Sequence, residues 1–392
     1  MDFNLTDEQK ALQEMAKNFA KRHFAPIVNE YEEKEKHPMH LFKEMADAGF
    51  LGANVPEEHG GMGLDSVSQM LITKELAKVW AAGDLSLFIV PNSLVVHPIV
   101  KYGTPKQIEK YLKPSIEGKK FGCFCLTEPD FGSYVKGIKT SADWVANSAV
   151  GYNFNIKGDK AFITNVTFAD FAIVLARLKS RPVWPPSIQG GDFAAFIVDL
   201  KDNPAVEIIQ KKKRGLHSAP FGEIHFENTP VSIYNALGPV GKGYEIFMDT
   251  LQSGRVFIAA QAWGVAEAAF EDALAYAKER EAFEKPIISH QAMGHMLADM
   301  AIALKEAEFW TMYAATLRDS GSPDFRKWAS AAKIRTTEIA TDLAHKNILI
   351  HGGSGYLREI RAGRLLNDSL AFEIYEGTNP IQRNIIASEL KK

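Results

Sequence analysis

A carboxylate set between an aromatic residue and a Gly-Thr pair can act as a base toward carbon-bound hydrogen. Tyr375-Glu376-Gly377-Thr378-Asn379-Pro380-Ile381-Gln382-Arg383 offers that arrangement. Loss of water around a carboxylate raises its pKa and makes it a stronger base. The glycine beside it lets the backbone come close to a ligand. By itself the stretch reads more readily as a Gly-containing turn with an exposed Glu376, so its meaning depends on the rest of the chain.

Four further groups carry possible chemistry. Cys125-Leu126-Thr127-Glu128-Pro129-Asp130-Phe131-Gly132-Ser133 stands where a strand ends. Free backbone N–H groups and a hydroxyl there suit a planar heteroaromatic ring, although Pro and Gly equally make an ordinary turn. Lys160-Ala161-Phe162-Ile163-Thr164-Asn165 supplies an aromatic ring and a hydroxyl. Strand alternation puts Phe162 and Thr164 on one face. Arg280, Phe283 and Gln291, within and just beyond REAFEKPI, could hold a pyrophosphate and stack an adenine. They read equally as a helix end and a proline-ended loop. His351-Gly352-Gly353-Ser354-Gly355-Tyr356 is Gly-rich, but no Gly-Lys-Ser/Thr follows, so it is not a P-loop. No GxGxxG follows a strand, which argues against a Rossmann nucleotide site.

The elements that must position these groups fall into three stretches. With 392 residues, the chain has room for two or three domains. A hydrophobic share of 46% and a charged share of 24% fit a soluble globular core. Net charge is −3, which gives no reason to expect nucleic acid or an anionic membrane. Residues 1–120 read as a helical domain. Thr6 and Gln9 form a capping box, Leu12, Met15, Ala16 and Phe19 follow at helical spacing, and PEEHGGMG (56–63) interrupts. Residues 121–232 change to short β-rich runs at 121–126, 161–164, 171–176, 194–198, 206–209 and 223–226. Turns at Gly151 and Gly158 and an exposed Pro/Gly/Ser loop over 180–191 separate them. Strands without helices between them predict a small antiparallel barrel-like domain. Residues 233–392 return to helices. Apolar stripes at Ile258, Ala262, Val265, Ala266 and Ala269 and at Met293, Met296, Leu297, Met300 and Leu304 predict a four-helix bundle core. Cys123 and Cys125 are read as buried thiols on a strand, in keeping with a reducing compartment. No apolar run is expected to span a bilayer, and the acidic first helix lacks signal-peptide features, so a cytoplasmic protein is expected. The Lys211-Lys212-Lys213-Arg214 cluster reads equally as a solvated loop or a phosphate contact.

Taken together and in order, LTDEQKALQEMAKNFA, VPEEHGG, LTEPDFGS, FITN, REAFEKPI…HQA, HGGSGY and YEGTNPIQR closely resemble the acyl-CoA dehydrogenase family over essentially the whole chain. The resemblance implies a helical–β–helical enzyme, mainly α, that holds FAD. Glu376 would remove the α-proton of an acyl-CoA thioester, and the β-hydrogen would leave as hydride to flavin N5. Hydrogen bonds to the thioester carbonyl, one from the Glu376 backbone N–H, would stabilise the enolate-like state. Leu126, Thr127, Phe162 and Thr164 match flavin-ring contacts, and Gly377 and Thr378 match residues beside the base. Arg280, Phe283 and Gln291 resemble residues that hold a neighbouring subunit's FAD, and Gly352 and Gly353 are also implied as cofactor-binding. Ser133 and Arg255 correspond to acyl-CoA contacts. The resemblance further implies a homotetramer built as a dimer of dimers, electron-transfer flavoprotein as electron acceptor, and no metal.

Several positions depart from the family pattern. Phe162 stands for a common Trp, Tyr134 for a common Asp, Phe131 for a small residue, Leu349 for a cofactor-contacting Gln, Asn367 for an Arg, and His217 for an Arg. Leu94-Val95-Val96-His97-Pro98-Ile99 is similar to the glutaryl-CoA dehydrogenase branch, yet 81–100 holds no Lys or Arg, and Leu85 stands where a cation would meet the distal carboxylate. Burying that carboxylate unpaired is costly. The expected acyl group is therefore compact and uncharged, with cyclohexane-1-carboxyl-CoA, converted to cyclohex-1-ene-1-carboxyl-CoA, as the single best choice. Branched short-chain or glutaryl-type acyl-CoA is the alternative. Pro91 is expected at the substrate, where a diene-forming relative would carry a second acid; Asp84 is close in sequence. From other classes, a flavin oxidase or a non-catalytic binding protein on the same fold stays open.

Overall fold

The computed structural model describes residues 4–145, 154–179 and 191–391. The turn expected at Gly151 and the loop expected over 180–190 lie outside them. The chain begins with α1 (Asp7–Phe19), capped as expected: the Thr6 hydroxyl accepts from Gln9 N, and the Gln9 side chain accepts from Thr6 N. Short helices α2 (Val28–Glu33) and α3 (Leu41–Asp47) follow, and then α4 (Ser66–Asp84). The helix path continues past Asp84 as a wide-turn stretch, Leu85–Val96, and on through α5 (His97–Tyr102), α6 (Pro105–Gln107) and α7 (Lys113–Ile116). Pro91 has no N–H to give, and side chains fill in nearby: Asn92 Nδ2 donates to Phe88 O and Phe50 O, and Ser93 Oγ to Ile89 O.

The expectation that no apolar run reaches bilayer length is corrected here. Ser66–Tyr102 is long and apolar enough by composition, but 83% of its apolar window is buried inside the protein. Its apolar character belongs to the core, where Leu71, Ile72, Leu76, Leu87, Phe88 and Ile89 are inaccessible or nearly so.

Among the described residues, the middle of the chain is one curled sheet of seven strands: β1 (Gly122–Cys125), β2 (Ser141–Trp144), β3 (Phe154–Thr164), β4 (Phe171–Leu178), β5 (Phe193–Asp199), β6 (Val206–Gln210) and β7 (Phe221–Val231). The β3–β7, β6–β7 and β4–β5 pairs are antiparallel as expected. The sheet is nonetheless mixed, because β1 and β2 both pair with β4 in parallel. The long connections from β1 and β2 to β4 permit this, where a hairpin would not. Strand β2 was not apparent from the sequence, and β3 and β7 are each 11 residues, longer than the apolar runs that marked them. Cys123 and Cys125 are free and buried, with sulfurs 3.8 Å apart.

The C-terminal bundle consists of α8 (Gly243–Glu279), α9 (Gln291–Asp319), α10 (Phe325–His351) and α11 (Ala362–Phe372), with α12 (Asn379–Glu389) lying against α10. A two-residue-stranded hairpin, β8 (Glu281–Ala282) and β9 (Lys285–Pro286), joins α8 to α9. Helix α8 is the spine: it packs on α4, α9 and α10. Alanines at 259, 260, 262, 266, 268 and 269 are fully buried and keep the helices close. Closest of all is Gly264, where an added Cβ would stand 2.3 Å from Lys74 O on α4.

Gly264→Leu should therefore lower stability by about 3 kcal/mol through overpacking of the α4–α8 crossing. Gly363→Ala, at a helical position with nothing within 4 Å of its added Cβ, should be neutral or stabilising by under about 1 kcal/mol. Chemical denaturation of the two variants side by side checks the pair.

Candidate active site

Glu376 stands in the short loop between α11 and α12. The loop leaves α11 with Tyr375 N donating to Ala371 O at 3.1 Å and re-enters helix with Asn379 N donating to Glu373 O at 3.0 Å. Between these, Glu376 and Gly377 both have positive φ, 54° and 87°. That conformation is unfavourable for a residue with a Cβ and persists only where surroundings enforce it. Here the enforcement is a set of donors: Gln382 Nε2 reaches Glu376 O (3.0 Å) and Gly377 O (2.9 Å), and Lys333 Nζ reaches Gly377 O (3.1 Å). Thr378 is half-buried and caps α12 through its hydroxyl.

The loop turns the Glu376 carboxylate onto α8. A Cβ added to Gly254 would lie 2.8 Å from Oε2 and 2.9 Å from Oε1, so the glycine is what admits the carboxylate. Glu376 Oε2, Ser253 Oγ, and Nε and Nη1 of Arg255 are buried without a hydrogen-bond partner. Burial pushes the Glu376 carboxyl up to about 8, against the opposing pull of Arg255 and then Lys333. Burial also lowers Arg255 to about 10, which leaves it charged at neutral pH. The site thus holds a desolvated acid and a buried guanidinium with free donors.

The strand-end residues approach this wall along α8. Phe124 on β1 stacks on Phe247 with centroids 4.3 Å apart, and Phe247 is one heptad before Gly254 on the same helix face. Beyond Phe124, Leu126 is buried and Thr127 half-buried. A buried ion pair secures them: Lys160 Nζ donates to Leu126 O (2.9 Å) and Glu128 Oε1 (3.0 Å), and Ala161 N donates to Thr127 O (2.8 Å). The next residue, Phe162, has φ 62°, and the β3–β7 register shifts between Lys160 and Ile163. This bulge turns the Phe162 ring outward, 61% exposed and backed by Phe221 at 6.1 Å. Thr164 shares that outward side as the alternation predicted, while Ile163 points inward.

Other expected residues are not brought together with Glu376 in one chain. Arg280 caps the C-terminus of α8, 26 residues past Gly254, or roughly 39 Å along the axis. Phe283 is 90% exposed at the tip of the β8–β9 hairpin, where it and Glu284 both have positive φ. Gln291 opens α9. Gly352, with φ 56°, and Gly353 follow α10, are exposed, and have nothing within 4 Å of an added Cβ. Ser133 is exposed in the turn after β1. Pro91 lines a small cleft with Phe42, Leu51, Val95 and Phe121, whose walls include none of Glu376, Gly254 and Arg255.

The departures also have places. In the Lys211–Arg214 cluster, Lys211 pairs with Glu223 at 3.0 Å and Lys212 with Glu35 at 3.8 Å, while half-buried Lys213 donates to Ala219 O at 2.6 Å. His217 N donates to Glu32 Oε2 at 3.0 Å, and buried Asp368 accepts from Leu216 N, tying this loop to α2 and α11. Leu349 is 54% exposed. Three residues near the base escaped the sequence reading: Gly254, Ser253 and Lys333. A lone lysine inside the Ala-rich run Ala329-Ser330-Ala331-Ala332-Lys333 was the available signal for the last.

The chain matches three family models: the acyl-CoA dehydrogenase N-terminal domain over residues 6–119, the middle domain over 123–229 and the C-terminal domain over 241–391. It is similar to the probable acyl-CoA dehydrogenase YngJ of Bacillus subtilis (strain 168), 38% identical with both chains fully covered. It is 37% identical to the caffeyl-CoA reductase-Etf complex subunit CarC of Acetobacterium woodii, covering 99% of each. The solved structure of butyryl-CoA dehydrogenase from Megasphaera elsdenii superposes with a TM-score of 0.92 at 35% identity, covering 100% of each chain.

The raised Glu376 pKa has a stability consequence. An unfolded Glu titrates near about 4.3, so the native fold takes up a proton between that value and about 8 and carries a buried anion at higher pH. Its contribution is therefore unfavourable as pH rises. Glu376→Gln should melt a few degrees above the unsubstituted protein at about pH 9 and close to it at about pH 5. A gap that does not change with pH would show that this carboxyl is not the shifted group.

Proposed function

The chain belongs to the acyl-CoA dehydrogenase family, a family of FAD-dependent oxidoreductases, and on that premise we propose that Glu376 is the base of an α,β-desaturation of an acyl-CoA thioester. The observation that carries this is the desolvated Glu376 carboxylate, held on Gly254 with partnerless Arg255 beside it. A carboxyl raised toward neutral pH is matched to taking a proton from a weakly acidic carbon.

The residues present fit the cofactor. An outward Phe162 ring, the Thr164 hydroxyl beside it and the pinned Leu126–Thr127 edge offer a flat apolar wall with hydrogen-bonding groups at its rim. FAD, when bound, supplies the hydride acceptor. The chain's own work is to hold the thioester, keep water from Glu376 and receive the α-proton on its carboxylate. Gly377 and Thr378 are assigned to the cofactor beside the base. Ser133 and Arg255 are assigned to the acyl-CoA, and Pro91 shapes the helix on the acyl side. The roughly 39 Å along α8 supports assigning Arg280, Phe283, Gln291, Gly352 and Gly353 to the FAD of a second subunit, and with it a homotetramer built as a dimer of dimers. Domain divisions near residues 120 and 232 are supported by the limits of the three matched models. Electron-transfer flavoprotein is the proposed electron acceptor, supported by the likeness to a subunit of an Etf complex. The cytoplasm is the proposed location.

For the acyl group, the segment after α4 supports a compact, uncharged acid, with cyclohexane-1-carboxyl-CoA first and branched short-chain acyl-CoA second. Leu85, Leu87, Phe88, Ile89 and Val90 are buried and bring no cation. The ionisable group there is Asp84, fully buried, its pKa raised well above the usual range by burial, with Gln261 Nε2 on one oxygen and nothing on the other. Gln261 lies one heptad beyond Gly254 on α8 and also accepts from the Tyr375 hydroxyl, so Asp84 faces the far side of the base wall. Asp84 offers a distal carboxylate no positive charge and the segment holds no cation to pair it, so burying one there is costly, which disfavours glutaryl-CoA.

Anaerobic titration of the yellow protein with cyclohexane-carboxyl-CoA, isobutyryl-CoA, butyryl-CoA and glutaryl-CoA, following flavin absorbance, checks this. The cyclohexane thioester should bleach the flavin fastest and glutaryl-CoA least. Bleaching by glutaryl-CoA would overturn the argument from Leu85 and Asp84. Glu376→Gln should slow bleaching by roughly 10⁴-fold with FAD still bound; an undiminished rate would remove Glu376 as the base.

A further inference from the structure

Lys333 is fully buried on α10, in a helix face otherwise lined by alanine, serine and threonine. A buried ammonium needs partners. It finds two, and both belong to the loop that follows the base: Gly377 O at 3.1 Å and Asn379 Oδ1 at 2.9 Å. Asn379 is itself aimed by Thr337, whose hydroxyl accepts from Asn379 Nδ2 at 3.1 Å. Gly377 O is the carbonyl next to Glu376, in the positive-φ pair described above. No step of the chemistry uses this lysine, and its placement is not demanded by α10 packing, where an apolar side chain would fit at lower cost.

We propose that Lys333 is the positioning residue of the base: it clamps the Glu376–Asn379 loop onto α10 and supplies, with Arg255, the positive charge against which the Glu376 carboxylate is set. This rests on the reading of Glu376 as the base. The charged groups facing the pair are few. Glu376 faces Arg255 and Lys333; Lys333 faces Glu376, Glu373 and, repulsively, Arg255. Glu373 is occupied by the Thr341 hydroxyl at 3.0 Å. Burial lowers Lys333 to about 7 while it raises Glu376 to about 8, so the two groups change charge in the same pH range and each favours the ionised form of the other.

The test reads the carboxyl itself in the resting FAD-loaded protein, with no acyl-CoA present. In pH-difference infrared spectra, the protonated-carboxyl band that Glu376→Gln lacks reports the ionisation of Glu376. Lys333→Gln keeps two N–H donors for the two acceptors but removes the charge. It should move the midpoint upward by on the order of one pH unit. Lys333→Arg keeps the charge and should leave the midpoint in place. Lys333→Met loses both contacts, and hydrogen exchange over residues 373–383 should speed up at least tenfold, more than in Lys333→Gln. An unmoved midpoint in Lys333→Gln, or an equal shift in Lys333→Arg, overturns the proposal; if Lys333→Gln does not fold, the midpoint in Lys333→Met, which also lacks the charge, decides it, and an unmoved value there overturns the proposal. Should no thioester bleach the flavin, the substrate reading fails while this midpoint remains measurable.

Discussion

Burying one carboxylate is the constraint around which this structure is arranged. Water would hold Glu376 as a weak base, so the fold removes the water and must then offset the cost of the isolated charge. It does so with Arg255 from α8 and, in its protonated form, Lys333 from α10, both buried on the helices that form the centre of the bundle. Partial rather than full compensation is what leaves the carboxyl near neutrality. A closer ion pair would ionise Glu376 permanently and blunt it as a base.

The rest of the bundle serves that placement. Glu376 reaches α8 because Gly254 has no Cβ, and its loop adopts positive φ because Lys333 and Gln382 hold the carbonyls. Helix α8 can carry the wall because Gly264 and the alanines near it bring α4 close. The same helix receives Phe124 from β1, so sheet and bundle are registered against each other one heptad from the base. Lys160 and Glu128 repeat the device in the sheet, where a buried ion pair fixes the strand end and the bulge that turns Phe162 outward.

Much of this was legible in the residues. The capping box, the bundle stripes, the strand runs and the YEGT stretch appear where local pattern predicts them, because capping and amphipathic periodicity are set by near neighbours. Local pattern failed where pairing partners are far apart. Parallel β1–β4 and β2–β4 ladders have no signature in either strand. The helix path over 66–102 holds Pro91, a residue that ordinarily breaks a helix, yet the backbone continues through it, with Asn92 and Ser93 side chains bonded to the nearby Phe88 and Ile89 carbonyls.

The sequence by itself determined the order of elements, the family, and Glu376 as an acid beside a flexible backbone. Tertiary structure alone decided what kind of acid it is. A carboxylate's pKa depends on solvent exclusion and on charges within a few ångströms, and those come from residues 43 and 121 positions before Glu376 in the chain, Lys333 and Arg255. Tertiary structure likewise set Arg280 at the C-terminal end of α8, 26 residues past the Gly254 that meets Glu376, a separation that neither stretch carries by itself.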